Sequence, residues 1–274
     1  LIPNVLTIAG TDPTGGAGIQ ADLKAFSAQG AYGMSVITAV VAQNTQGVQG
    51  FVALEPGFVA DQIAAVFEDV RVDAVKIGMV ANAAIAEAIA ESLDRYTKCP
   101  VVLDPVMVAK SGDHLLEQDA VDTIRERLVP RSTVITPNLP EASVLLGRDT
   151  EIGDLAGMRA ALDELRGLGA GWVLLKGGHL GSGESIDILT GAETIELTAP
   201  RIDTVNNHGT GCTLSAALAA LLPGQAVPVA VQHAKEYLTE ALLRAGDLEV
   251  GSGHGPVHHF HALWGDALDR GGER

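Results

Sequence analysis

Short apolar runs rich in Val, Ile and Leu alternate with segments of helical periodicity, and that alternation narrows the fold more than any other feature. Residues 5–10 (VLTIAG) read as a buried strand and 17–29 as a helix. Residues 34–42 (MSVITAVVA) form a second, continuous β-rich run. After Pro56, Phe58, Ile63, Val66, Phe67 and Val70 recur at helical spacing. Residues 74–79 (AVKIGM) return to strand and 83–93 to helix. Strands follow at 101–104, 133–137 and 172–178, with helices at 120–128 and 155–168. Residues 185–189 and 194–197 are spaced as a hairpin, and helices at 210–222 and 227–244 precede a glycine- and histidine-rich tail. Repeated β-then-α units predict a largely parallel sheet covered by helices on both faces.

No linker or low-complexity break interrupts this pattern, so residues 1–274 are expected to form one domain. Aromatic residues make up only 4% of the chain, which leaves Ala, Val, Leu and Ile to build the core. The formal net charge of −16, with no basic block, disfavours nucleic acid and anionic membranes. It also means that any phosphate site must bring its own local donors. No run reaches the ~18 apolar residues of a spanning helix, and Cys99 and Cys212 form no CxxC pattern. A soluble protein of a reducing cytoplasm is expected.

Two glycine clusters carry the chemistry. In residues 10–18 (GTDPTGGAG), Gly16, Gly18 and Ala21 fit the dinucleotide fingerprint GxGxxA. The acidic residue that should close the following strand is missing, because that strand ends in Val41-Ala42-Gln43-Asn44. The loop is either a structural turn or one whose amides approach a small ligand. No GxxxxGK[ST] is present, so the P-loop route is closed. In residues 206–220 (NNHGTGCTLSAALAA), Gly209-Thr210-Gly211 leads into a helix carrying Cys212. A helix start offers unpaired N–H groups and partial positive charge, which suits a phosphate or oxyanion. The same position predicts a lowered thiol pKa for Cys212; an inert buried cysteine is the plainer reading.

Further candidates sit at strand ends. Asp104 closes VVLD, where open α/β sheets place ligands. Lys176 closes WVLLK just before Gly177 and Gly178, within reach of a nucleotide phosphate, or is merely a solvated strand-end lysine. Asn138 and Glu141 read as a helix N-cap with an acidic first turn. Lys110-Ser111-Gly112 is a flap or a plain loop. The tail histidines 254, 258, 259 and 261 lack zinc-site spacing.

The ordered set AGTDPTGGAGIQADLKAF, VVAQNTQGV, KIGM, LDPVMVAKSG, TPNLPEA, LKGGH and NHGTGCTLSAALAA resembles the hydroxymethylpyrimidine/phosphomethylpyrimidine kinases of thiamine biosynthesis. The resemblance runs from about Val5 to GPVHHFHALW and departs at Asn207, where threonine is expected. It implies a ribokinase-like three-layer α/β/α sandwich with a mostly parallel central sheet. It implies phosphorylation of 4-amino-5-hydroxymethyl-2-methylpyrimidine, then of its monophosphate, using ATP with Mg²⁺, in a protein that commonly dimerises.

By the same resemblance Cys212 stands where related kinases carry an aspartate general base, with the amides of Gly209, Thr210 and Gly211 as anion hole. Glu141 would help hold Mg²⁺, with Asp104 in support. Asn138, Lys176 and Gly177 would meet ATP. Gln43, whose amide matches a ring nitrogen beside an exocyclic amine, would read the pyrimidine. Asp22, Met79 and Val106 would stand near it, although Asp22 reads equally as a helix-surface charge. Pyridoxal/pyridoxine kinase and a non-catalytic vitamer-binding regulator are the alternatives.

Overall fold

The computed structural model describes residues 1–107, 118–178, 180 and 183–268. The chain begins with β1 (Asn4–Ala9), α1 (Gly18–Ala28) and β2 (Tyr32–Ile37), then β3 (Ala39–Asn44), β4 (Gly47–Ala53) and α2 (Pro56–Phe67). Next come β5 (Ala74–Ile77), α3 (Ala83–Tyr96), β6 (Val101–Leu103), α4 (Gln118–Thr123), β7 (Val134–Ile135) and α5 (Leu139–Leu145). They are followed by α6 (Leu155–Gly167), β8 (Trp172–Lys176), β9 (Glu184–Thr190) and β10 (Thr194–Pro200). The last helices are α7 (Thr210–Leu221), α8 (Val227–Leu243) and α9 (His261–Leu268).

Eight strands form one sheet in the order β10-β9-β8-β7-β6-β5-β1-β2. From β2 to β8 every pairing is parallel, and the β9–β10 hairpin closes the other edge antiparallel. Alternate residues of each strand feed two cores. Leu6, Val75, Ile135 and Val173 pack with α2, α3, α5 and α6 on one face. Val5, Ala74, Val134 and Leu174 pack with α1, α7 and α8 on the other. This period-two division gives the expected three-layer α/β/α sandwich. α7 is buried from Thr213 to Ala220, and its alanines and serine let it lie close between sheet and neighbouring helices.

One expectation fails. The run 34–42 is not a single strand, because the chain leaves the main sheet at Thr38. The Thr38 amide donates to Ala9 O (3.0 Å), but its hydroxyl donates to Met79 O (2.7 Å), anchoring a break between β2 and β3. β3 pairs instead with β4 in a separate antiparallel ribbon that leaves Val40 and Val52 exposed. The expected helix at 120–128 is α4 continued by a single π turn, Ile124–Leu128.

Candidate active site

The carboxyl ends of β1, β5, β6, β7 and β8 open on one edge of the sheet, and α1 and α7 begin there. The two glycine loops meet backbone to backbone. Gly209, N-cap of α7, has φ +77°, and a Cβ there would overlap the Gly16 carbonyl oxygen. A Cβ on Gly18 (φ +56°) would lie 2.6 Å from Gly10 O. These glycines are required by close approach as well as by conformation. The amides of Gly16 and Ala17 donate to the Asp12 carboxylate (3.1 and 2.7 Å), so the first loop turns these two amides on its own side chain rather than on a ligand.

Cys212 is half-buried in the first turn of α7. Burial pushes its thiol up to about 11; Lys76 and the Gly18 amide pull it down, while Asp22 and Asp104 push it further up. The helix start alone predicts the opposite direction, and burial overrides it. Lys76 was not singled out in the sequence. Its side chain is fully buried and donates to both Asp22 oxygens (3.0 and 2.8 Å), while Thr7 Oγ1 donates to Asp22 Oδ2 (2.6 Å). Burial works against the Lys76 charge, but Asp22, Cys212 and Asp104 outweigh it and hold the ammonium protonated. Asp22 is therefore neither a surface charge nor a free pocket group. It is the counter-ion of a buried lysine.

A second charged cluster stands beside the first. Lys176 Nζ and Thr136 Oγ1 donate to Asp104 Oδ1 (both 3.1 Å), and Ser215 Oγ donates to Oδ2 (3.3 Å). Burial pushes the Asp104 carboxyl up, but Lys176 and Lys76 prevail and hold it below the usual range. Asn138 and Glu141 form a capping box on α5: the Glu141 amide donates to Asn138 Oδ1 (2.9 Å) and the Asn138 amide to Glu141 Oε2 (2.8 Å). Burial lifts Glu141 to about 7, with Lys176 pulling down and Asp104 pushing up. A Cβ on Gly211 would lie 3.4 Å from Lys176 Nζ, so that ammonium faces the start of α7.

A cavity of about 270 Å³ opens next to this cluster. Asn138, Lys176, Thr210 and Gly211 supply polar groups, and Ile202, Leu238 and Leu242 supply apolar wall. That mixture suits a nucleotide, phosphates toward α7 and base against the aliphatic side chains. Sequence reasoning missed three charged residues of the lining. Asp187 pairs with Lys235 (2.6 Å), and Arg201 donates to the carbonyls of Gly178 and Leu180. Their signal was weak, since strand, helix and loop charges ordinarily face water. Gly177 is excluded from a side chain by Ile186 O and is a packing glycine; Gly178 lines the cavity.

Met79 Sδ and Val41 Cγ2 approach Gly10, at 3.3 and 3.6 Å from a Cβ placed there. Thr11 Oγ1 accepts from the Val41 amide (2.9 Å), tying the first loop to β3. Gln43 is half-buried on β3 where the ribbon's register shifts, and Val106 is half-buried just after Asp104. Ala81, at φ +75°, holds a conformation rarely adopted outside glycine immediately beyond Met79. Lys110, Ser111, Gly112 and His179 lie outside the described residues.

The tail is fixed by bonds to backbone and to α7. The His254 amide donates to Thr45 O (2.8 Å), the Gly253 amide to Thr45 Oγ1 (3.1 Å), and Gly255 O accepts from the His208 amide (3.0 Å). His259 bonds Thr213 Oγ1 (3.0 Å), and burial pushes its imidazole down to about 3. The tail thus packs on the β3–β4 turn and the loop before α7. Among the described residues it contributes nothing to the cavity wall, and no group of three or more His, Cys, Asp and Glu could hold a metal.

Comparisons with known proteins agree with this geometry. A family profile described as phosphomethylpyrimidine kinase matches residues 12–258. A hydroxymethylpyrimidine/phosphomethylpyrimidine kinase of Escherichia coli (strain K12) is 59% identical over 266 residues, 95% of this chain and 98% of the relative. An ADP complex of Bacillus subtilis pyridoxal kinase superposes with a TM-score of 0.88 at 37% identity, covering 96% of this chain and 99% of that one. The phosphomethylpyrimidine kinase of Clostridium difficile 630 gives 0.77 at 45% identity, covering 88% and 99%. With its mostly parallel ribokinase-like sheet and a thiol at the glycine-led helix, the chain belongs to the phosphomethylpyrimidine kinase family.

Proposed function

We propose that this chain transfers the γ-phosphoryl group of ATP to 4-amino-5-hydroxymethyl-2-methylpyrimidine, and then to the monophosphate, to give the diphosphate used in thiamine biosynthesis. The carrying observation is the start of α7, which bears Cys212, faces Lys176 at Gly211, and lines a cavity of mixed polarity with Thr210 and Gly211. In this reading the hydroxymethyl oxygen attacks the γ-phosphorus while the thiolate form of Cys212 takes its proton. Lys76 and the Gly18 amide stabilise that form. The amides of Gly209, Thr210, Gly211 and Cys212 meet the charge on the transferring group, and Lys176 and Asn138 meet the phosphates. Because the thiolate is scarce at neutral pH, positioning and electrostatics supply most of the rate.

Glu141 supports a Mg²⁺ site. It is a buried carboxyl lifted to about 7, which a cation beside it would ionise. Mg²⁺ characteristically keeps several waters and takes one or two carboxylates plus phosphate oxygens, so no protein cage is required. When bound it supplies neutralising charge to the β- and γ-phosphate oxygens. Asp104, with both oxygens already committed, holds Lys176 in place. Gln43, Met79 and Val106 enclose the pyrimidine, and Asp22 acts through Lys76.

The single continuous eight-stranded sheet supports one kinase domain over residues 1–274. Exposed Val40, Phe51 and Val52 on the β3–β4 ribbon support a homodimer, and two unpaired cysteines fit a cytoplasmic home. No helix among the described residues is long and apolar enough to cross a membrane.

Pyridoxal is the competing alcohol, given the Bacillus subtilis neighbour. Measured side by side, kcat/KM for the pyrimidine alcohol is expected to exceed that for pyridoxal by at least about tenfold, a margin of ~1.4 kcal/mol. The reverse order would replace this reading with the pyridoxal one.

A further inference from the structure

Asp12 is fully buried and touches no part of the cavity wall, yet it gathers donors from both glycine loops. Oδ1 accepts from the Thr14 amide (2.9 Å) and hydroxyl (2.8 Å). Oδ2 accepts from the amides of Gly16 (3.1 Å) and Ala17 (2.7 Å) and bonds His208 Nε2 (2.8 Å). Gln20 Oε1 in turn accepts from the Asp12 amide (2.7 Å). His208 is the residue immediately before Gly209. Its ring lies against the first loop, where Cδ2 is 2.6 Å from a Cβ placed on Gly16. Its own amide is tied to Gly255 O (3.0 Å). One carboxylate therefore fixes the entry to α1 and the entry to α7 together.

We infer that Asp12 and His208 are a positioning pair for phosphoryl transfer. By gripping the His208 ring and the Gly16 and Ala17 amides at once, Asp12 holds the backbone of residues 209–212 in register with the first loop, where Gly209 lies against the Gly16 carbonyl. The inference rests on the kinase reading of the site. Anion-hole amides act through placement, and a displacement of about 1 Å costs on the order of 10²-fold in rate. Because neither residue lines the cavity, the loss falls on kcat and leaves the KM values alone.

The test compares His208→Gln with His208→Asn. The Gln amide nitrogen overlays Nε2 and keeps the bond to Asp12, whereas the shorter Asn amide does not reach. Steady-state kinetics with Mg-ATP and the pyrimidine alcohol should show kcat within about threefold of wild type for His208→Gln and ten- to a hundredfold lower for His208→Asn. Both KM values should stay within about twofold. Asp12→Asn, checked for folding by circular dichroism, should resemble His208→Asn. An equal kcat in both His208 variants, or a loss carried by KM, would overturn the pair. A second readout needs no turnover: iodoacetamide alkylation of Cys212, with Cys99 as internal reference, should quicken in His208→Asn and not in His208→Gln. If wild type fails to phosphorylate the pyrimidine, the functional reading falls, and equal alkylation rates in the two variants would then overturn the pair separately.

Discussion

At the scale of single residues, the chemistry turns on the environment of Cys212. Its position at a helix start points to a thiolate, but burial and two nearby carboxylates keep the thiol protonated up to about 11. The sign of the pH dependence follows. If the thiolate takes the alcohol's proton, its population rises about tenfold per unit below that pKa. Hence kcat/KM for the first phosphorylation should climb with unit slope between about pH 7.5 and 9, and Cys212→Asp should abolish the climb; a flat wild-type profile would remove the base role. The second acceptor is a phosphate with a pKa of about 6, already ionised at neutral pH. Cys212→Ala should therefore slow the first step at least about tenfold more than the second, in single-turnover assays with each acceptor. The strand-end positions of Asp104 and Lys176 and the helix-start positions of Cys212 and Glu141 were legible in the sequence, because apolar runs and glycine- or proline-led starts mark them. Lys76 was not, since a lysine in AVKI carries no sign that Asp22, 54 residues away, waits inside the fold. Asp12 was hidden in the same way by its distant partner His208.

Among the elements, the glycine-led entry to α7 is the part most sensitive to change. Gly209→Ala would place a Cβ on the Gly16 carbonyl oxygen in a left-handed conformation that by itself costs ~1–2 kcal/mol. The expected result is a destabilisation of at least about 2 kcal/mol by urea unfolding, together with loss of most turnover. A fully stable variant would show that the two loops separate freely. Strand and helix identities were legible because apolar periodicity separates them, and the β9–β10 hairpin followed from its spacing. The break at Thr38 was not, because residues 34–42 are uniformly β-forming. What divides them is one hydroxyl bonded to Met79 O, a contact made only after β5 has joined the sheet. The course of the tail was hidden for a related reason, being decided by backbone bonds to Thr45 and His208.

Across the whole molecule, a parallel sheet brings β1, β5, β6, β7 and β8 to a common edge, and α1 and α7 set their N-termini against it. A chain of net charge −16 can then hold a polyanionic nucleotide because its donors are concentrated there. Lys76 on β5 and Lys176 on β8 both act on Asp104 after β6, which lies between them, and Thr210 and Gly211 at the start of α7 line the cavity. By the proposed function, this edge moves two phosphoryl groups in succession onto one pyrimidine alcohol. ³¹P NMR of the protein with Mg-ATP and 4-amino-5-hydroxymethyl-2-methylpyrimidine follows each species directly. A monophosphate-ester resonance is expected to rise first, then to give way to the paired resonances of a diphosphate ester as ADP accumulates. Accumulation of ADP with inorganic phosphate alone, or ATP unchanged in the presence of the alcohol, would contradict it.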